Sequence, residues 1–183
     1  MLNHPSHLPH VANTPWGVYF RSWWVVSKYE QIYLVENFDF RTWFDFLNRG
    51  QKLVGLWTTD THDATNYIPG EKCSFLNTNG RLDEQSIMNA LKSGRVTNTT
   101  HPGTFLDMSI NGKGIGETVS SFGEPLKAKI ICISTQNIQK VELIADGAVI
   151  KTWVPTQCRD FKGECILSCN FDWVLARAYT YKG

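Results

Sequence analysis

The hydrophobic pattern of the chain changes near His101-Pro102-Gly103, and this change constrains the fold more than any other feature. Before that point, apolar runs of strand length alternate with segments of helical periodicity. After it, short alternating runs are separated by turn residues, as in antiparallel sheets. We therefore predict an α/β part over residues 1–103 and a small antiparallel β-sandwich-like module over residues 104–183.

The first part is predicted to contain a strand, a helix and a second strand in succession. The run IYLVE at 32–36 has the length of a strand, and KLVGLWT at 52–58 is apolar on both faces, as in a buried parallel strand. Between these runs, apolar residues recur at helical spacing, and Gly50 is placed to end the helix. The residues with this spacing are Phe40, Trp43, Phe44 and Leu47.

Capping and turn residues locate further elements. Asp83 is placed as the N-cap of a second helix that Gly94 ends, and RVTNT at 95–99 predicts another strand. In the second part, Asp146-Gly147 lies between two apolar runs and predicts a hairpin turn. The predicted strands there are 105–110, 128–133, 141–145, 148–153, 164–168 and 173–179.

Composition excludes several classes of function. Eighteen Lys and Arg stand against seventeen Asp and Glu, so the formal charge is only +1, and no strong field favours a nucleic acid or an anionic membrane as partner. No apolar run approaches the roughly 20 residues that span a bilayer. The opening MLNHPSHLPH has neither the basic start nor the apolar stretch of a signal peptide. We expect a soluble protein, and the choice between cytoplasm and secretion stays open.

The five cysteines lack the paired spacing of a structural zinc site. Because their number is odd, at least one thiol has no partner within the chain. Cys158, Cys165 and Cys169 cluster near the C-terminus, where one disulfide would join a hairpin in an oxidising compartment. The sequence leaves the disulfide state of these three residues open.

Asp60 and His62 are the most informative polar residues, because they directly follow the predicted strand at 52–58. Ligands and catalytic groups gather at the carboxyl ends of parallel strands. An Asp-x-His pair offers one oxygen and one nitrogen ligand, suited to zinc, manganese or iron. The alternative is that this polar loop only bonds its own backbone, since the pattern is short and matches often by chance.

His4 is the second candidate ligand. It precedes Pro5, which favours an extended conformation and therefore a strand end that faces a loop. His7 and His10 follow at intervals of three, but the prolines argue against a helix that would align them. A solvated terminal segment is the alternative for all three histidines.

The order of motifs resembles the polymerase and histidinol phosphatase (PHP) superfamily of metallohydrolases, in its CehA/McbA-like branch. The resemblance is carried by VENFDFRTWFDFLNRGQKLVGLWTTDTHD, LDEQSIMNALKSGRV, FLDMSINGKGIGETV and the opening NHP. It implies a distorted (βα) barrel whose divalent ions activate water to hydrolyse phosphoesters, carbamates or related esters. Matched motif by motif, His4, Asp60 and His62 correspond to metal ligands, and the implied cofactor is zinc, manganese or iron.

The chain also departs from the family pattern. It lacks the opening HxH motif, and Thr58-Thr59 stands where a smaller pair is usual. We therefore expect a partial barrel with an incomplete metal centre, either as the C-terminal portion of a hydrolase or as an inactive remnant. In the second case the β-module would bind carbohydrate or protein, with Trp153 or Trp173 exposed. The expected partners are a small ester or phosphoester substrate and, to cover the apolar surface, a second copy or a missing N-terminal half.

Overall fold

A computed structural model describes residues 25–26, 31–34, 40–57, 72–101, 103–120, 124–167 and 171–181, with side chains from residue 43 onward. Its first sheet has three strands, β1 (Val25–Val26), β2 (Gln31–Leu34) and β3 (Val54–Leu56), in the order β1-β2-β3. Strands β1 and β2 pair antiparallel, and β2 and β3 pair parallel.

Helix α1 (Phe40–Asn48) connects the two parallel strands, so the predicted strand-helix-strand succession is present. The helix ends before Gly50, whose φ of 76° is the left-handed conformation that glycine adopts without strain. Phe44 is buried, and the Trp43 indole donates a hydrogen bond of 3.0 Å to the carbonyl of Leu53, which precedes β3. These contacts hold α1 against the start of β3, the strand that follows it in the chain.

The next unit consists of β4 (Cys73–Leu76), helix α2 (Glu84–Ser93) and β5 (Val96–Thr99). The helix has the predicted caps: Asp83 accepts a hydrogen bond from the amide of Ser86 at 2.8 Å, and Gly94 takes the left-handed conformation. Strands β4 and β5 pair antiparallel. Strand β4 was not predicted, and it follows the polar segment TDTHDATNYIPGEK.

The predicted α/β class of the first part is wrong, and so is its partial (βα) barrel: the described residues form a mostly antiparallel, all-β structure with two short helices. In the described ranges β2 and β3 form the one parallel pair, and antiparallel sheets make up most of the structure. The physical reason lies in the link between β4 and β5. Residues 77–83 and the ten-residue helix α2, about 15 Å long, bring the chain back to the end of β4, where Leu76 lies opposite Val96. The amide of Asn77 then donates to the carbonyl of Arg95 at 3.0 Å, so β5 runs antiparallel to β4 and adds no parallel strand.

The remaining strands form two antiparallel sheets. One sheet has the order β11-β8-β6-β7 and the other has the order β10-β9-β12. Their bounds are β6 (Thr104–Ile110), β7 (Lys113–Gly114), β8 (Leu126–Ser134), β9 (Ile138–Ala145), β10 (Ala148–Trp153), β11 (Asp160–Leu167) and β12 (Val174–Thr180). The six strand segments predicted for this part overlap β6, β8, β9, β10, β11 and β12, but β9 and β11 each begin three or four residues before their predicted start. Asp146 and Gly147 have positive φ, as the predicted hairpin turn requires.

One hydrophobic core joins the two sheets into a sandwich. Strand β8 alternates strictly between buried and exposed residues, so one face lies in the core and the other faces outward. The buried members of the core are Ile110, Ala128, Ile130, Cys132, Ile138, Val141, Leu143, Phe161 and Leu167. Both faces of β9 are covered, since Glu142 and Ile144 on its outer face are also buried.

The sandwich contacts the first part of the chain at several places. Trp173 stacks on Phe44 of α1 with ring centroids 4.9 Å apart, and its indole donates to Asn48 at 2.7 Å. Gly116 lies against the backbone at the C-terminal end of α2, and its carbonyl accepts a hydrogen bond of 3.0 Å from Lys52. Neither α1 nor α2 is long and apolar enough to cross a membrane, and they are the helices of the described residues.

Candidate functional site

An open cleft of about 340 Å³ lies between β3, β4 and α2. Its walls are mostly apolar side chains from three elements that are separate in sequence, and polar groups come from the start of β4. The lining residues are Leu56, Trp57, Lys72, Cys73, Ser74, Leu76 and Leu91. The cleft therefore lies at the carboxyl end of β3, which is the end where α/β sheets gather ligand-binding groups.

A network of short hydrogen bonds holds β3 against the β4–β5 pair. The Ser74 hydroxyl accepts from the Trp57 amide at 2.8 Å and donates to Asn98 Oδ1 at 2.7 Å. The Asn98 Nδ2 group donates to the carbonyl of Gly55 at 2.7 Å. Ser74 and Asn98 are directly opposite each other in the β4–β5 register. This clamp uses side chains to continue the sheet from β3 to β5, and two of its residues, Ser74 and Trp57, also line the cleft.

Lys72 and Cys73 bring different chemistry to the cleft. Lys72 is half-buried and forms no ion pair with the described residues. Burial raises the pKa of the Cys73 thiol, so this group stays protonated near neutral pH. Because the thiolate is the nucleophile and the metal ligand, Cys73 is neither a ready nucleophile nor a ready ligand. Among its described residues, the cleft thus offers one cation without an acidic partner, Lys72, beside mostly apolar walls.

The predicted metal ligands His4, Asp60 and His62 lie outside the described residues. The described residues on either side of Asp60 and His62 in the chain are Trp57 and Lys72. Trp57 precedes residues 58–71, Lys72 follows them, and both of these flanking residues line the cleft. Within the described ranges, no group of three His, Cys, Asp or Glu side chains is arranged to hold a metal ion.

Sequence reasoning missed the polar residues of the cleft. Lys72, Ser74 and Asn98 belong to no motif, and nothing in their local sequence sets them apart. Ser74 and Asn98 meet only because β4 and β5 pair antiparallel in one register. The one available signal was indirect: a polar Asn within the strand RVTNT needs hydrogen-bond partners when it is half-buried.

The tryptophans that would indicate a carbohydrate-binding face are engaged elsewhere. Trp153 is half-buried and packs edge-on against Phe161, with ring centroids 5.8 Å apart. Trp173 is half-buried against α1, as described above. The outer face of β8 instead exposes Ile131 and Ile133, at 38% and 51%. The exposed-tryptophan criterion is therefore not met.

The sequence left the disulfide state of the C-terminal cysteines open, and the structure shows Cys158 and Cys165 as free thiols. Cys169 lies outside the described residues. The Cys158 thiol contacts the carbonyl of Asp160 at 3.0 Å.

Comparison with known proteins finds no relative: no family model, no curated protein and no solved structure matches the chain.

Proposed function

We propose that the protein is a metal-dependent hydrolase of a small ester or phosphoester, with its site at the carboxyl end of β3. One observation carries the proposal. Strands β2 and β3 are parallel and connected by α1, and β3 leads into the cleft and directly on to Asp60 and His62 in the chain. In such units the residues that follow the strand bind the ligand.

The proposal assigns separate roles to the two sets of residues. Asp60, His62 and His4 form a donor set of one carboxylate and two imidazoles, which suits zinc, manganese or iron. A bound ion of this kind supplies an activated water and polarises the scissile group. The described cleft supplies no further ligand, because Cys73 is protonated and Lys72 repels a cation. Its residues therefore act on the substrate: Lys72 attracts an anionic group and the apolar walls hold the rest.

The test combines metal analysis with two ligand variants. Purified protein is loaded with zinc or manganese, dialysed and analysed for bound metal, and hydrolysis of p-nitrophenyl phosphate and p-nitrophenyl acetate is measured. Asp60→Ala and His62→Ala should each lower bound metal and lower hydrolysis by at least about 100-fold. Asp45→Ala is the control, since Asp45 is exposed on α1 and should change neither quantity.

Two outcomes would contradict the proposal. In the first, the parent protein retains no metal after loading. In the second, Asp60→Ala and His62→Ala retain as much metal as the parent while circular dichroism shows that they are folded. Either result would favour the alternative, an inactive chain whose β-module serves binding. The exposed pair Ile131 and Ile133 is the observation that supports that alternative.

A further inference from the structure

We infer that the cleft takes an organic anion with a flat apolar body, of the aryl phosphate class, as the substrate of the site proposed above. This inference rests on the proposed function for its catalytic part, but the binding chemistry comes from the described residues alone. The cleft has the volume, the wall chemistry and the charge for such a molecule.

The size and walls of the cleft select a small apolar body. A volume of about 340 Å³ is at the lower end of the roughly 300–1,000 Å³ usual for small-molecule sites. Trp57 from the end of β3 and Leu91 from α2 contribute apolar surface, together with Leu56 and Leu76 from two strands. An indole next to branched aliphatic side chains packs well against a planar ring. One aromatic ring therefore fits better than a sugar or a peptide.

The polar groups of the cleft select an anion. The Ser74 hydroxyl accepts from the Trp57 amide and donates to Asn98, so its proton is not available to a ligand. Burial raises the pKa of the Cys73 thiol, so this group does not attract a cation as a thiolate would. Lys72 remains, a half-buried ammonium group without an acidic partner in the described structure. A lysine binds phosphate as a point charge, without the bidentate geometry of arginine.

Cys73 provides a built-in reporter of occupancy, because its thiol lines the same cleft. The full chain is treated with N-ethylmaleimide at alkaline pH, where part of the Cys73 thiol ionises, and the alkylation rate of each cysteine is followed by peptide mass spectrometry. The probes are phenylphosphonate, which is not hydrolysed, and inorganic phosphate, phenol and benzoate at equal concentration. Phenylphosphonate should slow alkylation of Cys73 and leave that of Cys158 unchanged, since Cys158 lies in the sandwich and does not line the cleft.

Matched variants identify the cation. Lys72→Gln should weaken protection by phenylphosphonate about tenfold in concentration, the loss expected for one charge-assisted contact. Lys92→Gln is the control, because Lys92 is exposed in the last turn of α2 and does not line the cleft. Equal loss in both variants would overturn the assignment of Lys72.

The probes separate the other outcomes. Failure of phenylphosphonate to protect Cys73 overturns the inference. If inorganic phosphate protects Cys73 as well as phenylphosphonate does, the ligand needs no apolar body. If benzoate protects equally well, the ligand needs no phosphate group. The footprint needs neither metal nor turnover. Protection of Cys73 in a protein that binds no metal would therefore overturn only the proposed hydrolase, and metal binding without protection would overturn only this inference.

Discussion

Gly116 lies against the backbone at the C-terminal end of α2, and Gly116→Ala should destabilise the protein strongly. An added Cβ would lie 2.4 Å from the carbonyl oxygen of Ser93, 2.7 Å from the carbonyl carbon of Gly94 and 2.8 Å from the amide nitrogen of Arg95. All three atoms belong to the backbone, so no flexible side chain can move aside. Gly116 also has a φ of 83°, which an alanine adopts only with strain.

The two costs are estimated separately. The left-handed backbone costs an alanine about 1–2 kcal/mol. Overpacking against fixed atoms adds about 1–3 kcal/mol. The free energy of unfolding should therefore fall by about 2–5 kcal/mol. At roughly 2–4 °C per kcal/mol for a chain of this size, the melting temperature should fall by about 4–20 °C.

Gly112→Ala is the matched control for this prediction. Gly112 has nearly the same φ, 80°, but a Cβ there would meet nothing within 4 Å. Its substitution should show only the backbone cost, about 1–2 kcal/mol. Urea unfolding followed by circular dichroism gives both values. If the two variants lose the same stability, the close contact between Gly116 and the end of α2 is not tight and the reasoning is refuted.

Two further predictions concern ionisable groups. Burial pushes the pKa of Glu142 upward, but hydrogen bonds from Lys140 at 2.6 Å and Arg177 at 2.7 Å outweigh it and hold the pKa below its ordinary 4.5. The free energy of unfolding of Glu142→Gln, measured with urea at pH 7, should therefore be about 1–3 kcal/mol lower than that of the parent. This difference should shrink as the pH falls below about 4.5, because a lowered pKa stabilises the fold only where the carboxylate is charged. Glu164→Gln is the control: it removes an exposed ion pair with Lys127 and should lower the free energy of unfolding much less than Glu142→Gln. An equal loss in the two variants would refute the importance of burial. Cys132 is fully buried, and burial raises its pKa to about 11. N-ethylmaleimide at pH 8 should therefore leave Cys132 unmodified in the folded protein and modify it in urea. Rapid labelling of the folded protein would contradict a packed core.

Local features of the fold were predicted where the chemistry is itself local. Asp83 and Gly94 bound α2 as expected, since an N-cap carboxylate and a left-handed glycine satisfy helix ends without distant partners. The turn at Asp146-Gly147 depends likewise only on its own backbone. Strand β8 was evident because alternation reports burial on one face.

The direction of strand pairing was not predictable in the same way. A strand, a helix and a strand in succession describe both the β2–α1–β3 unit, which is parallel, and the β4–α2–β5 unit, which is antiparallel. The difference lies in whether the linker and the helix displace the chain or return it to its starting point. The hydrophobic pattern does not show where the chain returns after a helix. It therefore predicts a parallel barrel where β4 and β5 in fact pair antiparallel.

The candidate site was predictable only in part. Local patterns are enough to predict that side chains able to bind a metal follow an apolar strand, that α2 begins and ends at its caps, and that the second part is antiparallel. The contacts of Ser74 and Asn98 that join β3 to the β4–β5 pair, and the cleft that Lys72 shares with Leu91, are evident only from the folded chain. These contacts link residues from different elements, and they follow from strand direction and register, which depend on the packing of the whole chain.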